Sequence, residues 1–171
     1  EGGETFGDML DLQLLTDPVT LDLTAADPEA GTVSDGTSTA TFTEIENIFL
    51  GSATETLVLA DGSGADSVFS FTAPTDNGDG TYASGDLLDV SALTSDGTTR
   101  VTTADVTVTD TNGDGTGDAI LTFPGGESLT LWGVSPAQVS NPAALVAMGI
   151  PDGRDFVVEG TAGADLINLG Y

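Results

Sequence analysis

GSATETLVLADGSGADSVFSFTA, residues 51–73, decides how this chain reads. ETLVLA (55–60) and SVFSFTA (67–73) alternate apolar with small polar residues, the pattern of strands with one face buried. Between them Asp61, Gly62, Ser63 and Gly64 supply turn chemistry. Residues 61–69 fit the nonapeptide G-G-x-G-x-D-x-U-x at Gly62, Gly64, Asp66 and Val68, with Asp61 in first place. In such a turn glycine lets backbone carbonyls face inward, the Asp adds a carboxylate oxygen, and the large apolar U pins the next strand into the core. A complete Ca²⁺ site draws oxygens from two successive turns.

Other pieces repeat the theme. Residues 160–168 match at Gly160, Gly163, Asp165 and Ile167, whereas 51–59 keeps Gly51 and Val58 but has Thr54 and Thr56 in place of glycine and aspartate. GDMLDLQLLTD (7–17) recurs as GDLLDVSALTSD (85–96), and NGDGT occurs at 77–81 and 112–116. Repetition of strand-and-turn units implies a solenoid or roll, in which each unit needs its neighbour to bury its apolar face. Further strand signals lie at 19–25, 38–45, 104–110, 118–123 and 127–134. The expected class is all-β, β-roll or β-solenoid-like with hairpins. Ser135-Pro136 and Asn141-Pro142, followed by an Ala/Leu/Val/Met run ending at Gly149, predict one short helix or two helical turns near 136–148. The expected organisation is a strand-rich domain over 1–135, a helical segment over 136–150, and the start of a further repeat over 151–171.

Charge bounds the chemistry. The 171 residues carry a formal net charge of −26, and Arg100 and Arg154 are the two basic residues. So many carboxylates repel one another in a compact state unless external cations offset them. Nucleic acid and anionic membranes are poor partners for such a surface, and metal cations are good ones. An acidic surface adapted to salt is the competing reading of the same charge. With no Cys and no His, disulfides, thiolate sites and the usual general base are all excluded. Oxygen ligands remain, and they suit Ca²⁺. No apolar run reaches the length of a membrane-spanning helix. The N-terminal EGGETFGDML lacks the pattern of a cleaved signal, which fits either a chain without one or a piece of a longer chain.

DTNGDGTGD (110–118) resembles the front of an EF-hand loop, with Asp110, Asn112, Asp114, Thr116 and Asp118 at positions 1, 3, 5, 7 and 9. Leu121 stands at position 12, where the bidentate Glu belongs, so the stretch is equally a glycine-rich hairpin loop. The candidate metal ligands are these five residues, Asp61, Ser63 and Asp66 of one nonapeptide turn, and Gly160, Ala162 and Asp165 of the other. Carboxylate pairs such as Asp86 and Asp89 could act on a glycosidic bond, but in a chain with 28 acids they arise by chance. No catalytic residue or organic cofactor is expected.

TFTEIENIFLGSATETLVL (41–59) resembles the lead-in phrase of hemolysin-type (RTX) repeat proteins. DGSGADSVFSF (61–71) with SGDLLDVSALTSDG (84–97) is similar to the block that caps their repeat arrays, and EGTAGADLINL (159–169) to the first unit of a new one. The likeness covers about residues 38–135 and 158–170. It implies export by type I secretion and Ca²⁺-driven folding outside the cell or at its surface, as a structural or adhesive module. A head-to-tail self-assembling subunit is the alternative, because the unit at 160–168 could be completed by downstream repeats or by residues 2–11 of another copy. A polysaccharide-acting enzyme domain is the third reading.

Overall fold

The computed structural model describes residues 7–154. In chain order the strands are β1 (Met9–Asp11), β2 (Thr20–Asp22), β3 (Gly31–Ser34), β4 (Thr39–Phe42), β5 (Asn47–Phe49), β6 (Thr56–Ala60), β7 (Ala65–Phe69), β8 (Thr75–Asp76), β9 (Tyr82–Ala83), β10 (Leu87–Ala92), β11 (Thr107–Asp110), β12 (Ala119–Thr122) and β13 (Ser128–Trp132). Two short helices follow, α1 (Pro136–Val139) and α2 (Pro142–Ala147). The chain is mostly β-sheet, as the alternating pattern leads one to expect.

Two larger sheets form, ordered β1-β5-β7-β13-β12-β11 and β10-β6-β2-β3-β4, with β8 and β9 as a separate hairpin. We call them sheets A and B. The chain passes back and forth between them: β1 lies in A, β2 in B, β5 in A, β6 in B, β7 in A, β10 in B and β13 in A. Strands reached this way pair in parallel, β1 with β5, β5 with β7 and β7 with β13 in A, and β2 with β6 and β6 with β10 in B. Parallel neighbours need a crossover. Here a strand of the opposite sheet serves as that crossover. Antiparallel pairs extend the sheets at opposite ends: β3 and β4 continue B beyond β2, and β12 and β11 continue A beyond β13.

Register places like residues in rows across the strands. In A, Leu10, Ile48, Val68 and Leu131 align, and in B, Leu21, Leu57 and Leu88 align. Because strand side chains alternate faces, these rows turn inward together and join one continuous core. Full burial of each aliphatic side chain contributes about 1.5–3 kcal/mol. On the opposite face of A the rings of Phe49, Phe69 and Trp132 stack in register, with centroids 4.3 and 5.5 Å apart.

The turns share one device. Asp35, Asp79, Asp96 and Asp114 each precede Gly-Thr, and each carboxylate accepts the backbone N–H of that Thr at 2.8, 3.0, 2.9 and 3.0 Å. The intervening glycines sit at φ of +82° to +88°, which the absence of a Cβ permits. The NGDGT pentapeptides are therefore hairpin tips, β8 to β9 and β11 to β12, with Asn77 and Asn112 bonding Thr81 and Thr116 alike. Thr99 and Thr98 hold the Asp96 carboxyl down to about 2.

Of the two readings of 136–148, one short helix or two helical turns, the structure takes the second, with a break at Ser140–Asn141. Asn141 is an N-cap, its side chain accepting the N–H of Ala143, and Pro142 cannot donate to a continuing helix. The repeat unit predicted from 160 to 168 lies outside the described residues.

Candidate functional site

A rule emerges at the strand starts. Every parallel strand except β2 opens with an acid two residues before an inward-facing aliphatic: Asp8 and Leu10, Glu46 and Ile48, Glu55 and Leu57, Asp66 and Val68, Asp86 and Leu88, Glu127 and Leu129. The two-residue spacing puts each acid on the same side of its strand as that aliphatic, at the turn end, although Asp8 is exposed and Glu46 only partly buried. Glu55 and Asp86 are fully buried, and Asp66 and Glu127 are 5% exposed. A buried ionised carboxylate is costly unless it is paired or bound to a cation. Among the described residues, buried oxygens of Glu46, Glu55, Asp66 and Glu127 lack a hydrogen-bond partner. Arg154 pairs with Asp152 at 2.6 Å and so does not serve them.

On sheet A the register sets Asp8, Glu46 and Asp66 side by side, while Leu129 lies beside Asp66 and the turn residue Gly64 accepts the Ser128 N–H at 2.9 Å. Glu127 thus faces the 61–64 turn, and one of its oxygens accepts the Gly62 N–H at 2.8 Å. Its other oxygen, one of Asp66 and one of Glu46 are the orphans of three adjacent strands. Burial alone pushes the Asp66 carboxyl up to about 7. No three acids among the described residues stand close enough to hold an ion by side chains alone. Ca²⁺ takes six to eight oxygens and accepts backbone carbonyls and water, so the orphaned oxygens fit it as anchors.

The rest of the turn is knitted by hydrogen bonds. Asp61 accepts both the N–H and the hydroxyl of Thr94, at 2.8 and 2.6 Å, and the hydroxyl bond chiefly lowers its pKa. The Ser63 hydroxyl accepts the Ala60 N–H and donates to the Leu23 carbonyl. Of the predicted trio Asp61, Ser63 and Asp66, then, the first two have partners and Asp66 keeps an orphaned oxygen.

A second pair lies where A crosses to B. Asp86 accepts the N–H groups of Glu55 and Thr72 at 2.8 and 2.7 Å. Burial, and then the neighbouring Asp86, raise Glu55 to about 7. A proton on Glu55 would bridge to Asp86, which gives this pair an internal solution that Asp66 lacks. Asp86 and Asp89 do not form a catalytic pair: they lie on opposite faces of β10, and Asp89 bonds the Ser91 N–H.

The 110–118 loop is folded around its own acids. Asp110 accepts the N–H groups of Asn112, Asp114 and Gly115, while Asp114 accepts the N–H and hydroxyl of Thr116. Desolvation works against ionisation of Asp110, yet those N–H donors hold its pKa low. The Asp118 carboxylate turns instead to the Gly133 N–H at 2.7 Å. Of the five predicted ligands, Asp110, Asn112, Asp114 and Thr116 close one tip, and Asp118 ties it to β13. Gly160, Ala162 and Asp165 lie outside the described residues.

Sequence patterning had not singled out Glu46, Glu55 or Glu127 as ligands. The acid-x-aliphatic spacing carries that signal, but becomes visible only when strand starts are known. No family model, curated protein or solved structure matches the chain.

Proposed function

We propose that the chain is a non-catalytic, Ca²⁺-stabilised β-roll module of a type I-secreted, RTX-like protein, serving as scaffold or adhesive unit outside the cell. The observation that carries this reading is the set of orphaned, buried carboxylate oxygens on Glu46, Asp66 and Glu127, at the turn ends of adjacent strands in a chain of net charge −26. Alternation of parallel strands between two sheets supports the roll.

In this reading Asp66 and Glu127 anchor the ion beside the 61–64 turn, with turn carbonyls and water completing the shell. A bound cation offsets charge that burial otherwise penalises, and binding to the native state alone adds stability by mass action. Such a chain stays loosely folded where Ca²⁺ is scarce and tightens where it is abundant. Isothermal titration calorimetry of wild type and Asp66→Asn tests the assignment. Loss of a binding event in the variant supports it, and identical isotherms refute it.

A further inference from the structure

The two ends of the double sheet are finished differently. At the end bounded by β10, sheet A runs two strands further than sheet B, and α1 and α2 take the place of the missing B strands. There α1 packs on β11 and β12, Val139, Leu145 and Met148 are buried, and the Leu88 N–H donates to the Met148 carbonyl at 2.7 Å. At the other end sheet B runs two strands further, through β3 and β4, and sheet A stops at β1. Among the described residues no element replaces the missing A strands.

The exposed groups there form one surface. Leu10 is only half-buried, although Ile48, Val68 and Leu131 of the same row are 0–1% exposed. The inward side chains of β3 and β4, Val33 and Phe42, are likewise only partly buried. Leu14 is 95% exposed and Leu15 40%. A cleft of about 350 Å³ opens between Leu14, Leu15, Val19, Val33 and Ala40. Among the described residues the outer edge of β1 is unpaired. The Asp8 carbonyl and the Leu12 N–H bond to β5, so strand alternation points the N–H groups of Met9 and Asp11 away from it.

We propose that this end receives a strand from a second copy of the chain, residues 165–169, added parallel to β1. Asp165-Leu166-Ile167-Asn168-Leu169 carries the acid-x-aliphatic-x-aliphatic order of Asp8-Leu10-Leu12, Glu46-Ile48-Leu50, Glu55-Leu57-Leu59, Asp86-Leu88-Val90 and Glu127-Leu129-Leu131. Aligned by that order, Ile167 continues the row of Leu10, Ile48 and Val68, and Asp165 continues the row of Asp8, Glu46 and Asp66. The stretch that supplies it leaves from the opposite end of the molecule, where Thr103 bonds the Pro151 carbonyl and the Gly153 N–H at 2.8 and 3.0 Å. Donor and acceptor at opposite ends make a heterologous, head-to-tail contact that repeats. Main-chain bonds would supply affinity and the buried row the register. A calcium requirement at this joint rests on the function proposed above; strand addition does not.

Two single-substitution variants of the 171-residue chain test this. Met9→Pro removes an N–H that faces away from β5, at a residue 63% exposed, and so blocks the acceptor edge. Ile167→Asp spoils the donor strand. Sedimentation velocity across a concentration series should show wild type growing into chains, each variant alone monomeric, and an equimolar mixture restoring heterodimers. A monomeric wild type at every concentration would overturn the proposal. So would an Ile167→Asp variant that assembles like wild type, or one that loses thermal stability as a monomer, since that identifies the chain's own stretch as the occupant. Assembly that persists in chelator upholds strand addition and detaches it from calcium.

Discussion

The Asp86 carboxylate receives the backbone N–H of Glu55 at 2.8 Å, while the carboxyl of Glu55, equally buried, lies beside it with neither oxygen partnered. Glu55 is thereby the proton carrier of the pair. Burial and its neighbour raise Glu55 from 4.5 to about 7. Between those values the folded chain holds a proton that the unfolded chain has released, so stability falls as pH rises across that window. Thermal melts in chelator should therefore give a higher Tm near the lower bound than above the upper one. Glu55→Gln, which keeps a donor for Asp86, should flatten that slope; an unchanged pH profile would remove the shared proton.

Gly85 fits against the Thr72 carbonyl so closely that a Cβ there would collide with backbone. Gly80, at a hairpin tip, has open space around it but a φ of +88°. Gly85→Ala should cost more than about 2 kcal/mol, and Gly80→Ala about 1–2 kcal/mol of left-handed strain. Urea denaturation ranks them; the reverse order would mean that the 72–86 contact does not hold the rungs together.

Asp114 acts through an oxygen that accepts from Thr116. Asparagine retains that acceptor, so Asp114→Asn should stay within about 0.5 kcal/mol of wild type, whereas Asp114→Ala should lose about 0.5–1.5 kcal/mol. Calcium stoichiometry should be the same in both. A lost binding event in Asp114→Asn would return the loop to the EF-hand-like reading.

Leu57 is completely buried on β6, between β10 and β2 of sheet B, and Leu14 is 95% exposed. Leu57→Ala should cost about 2–5 kcal/mol through lost burial and a cavity. Leu14→Ser should leave the monomer's stability within about 0.5 kcal/mol.

The strands and hairpin tips were legible because local chemistry makes them: alternation in ETLVLA, and NGDGT with glycines that only a tight turn needs. The acid ladder was not. Glu55 and Glu127 look like any surface acid in a chain this acidic, and only pairing β6 with β10, and β7 with β13, turns them inward. The EF-hand-like spacing was legible but ambiguous, since the same Asp and Gly positions that ligate an ion also accept the loop's own N–H groups. The break between α1 and α2 followed from Asn141-Pro142, a start signal that is equally a stop signal for the turn before it.

The most direct test of the central claim is a thermal melt followed by circular dichroism, for wild type and Asp66→Asn, in chelator and through a Ca²⁺ titration. Ca²⁺ should raise the wild-type Tm progressively and Mg²⁺ should do so less, while Asp66→Asn should lose much of the gain yet melt no lower than wild type in chelator. A wild-type Tm that is the same in chelator and in saturating Ca²⁺ would contradict it.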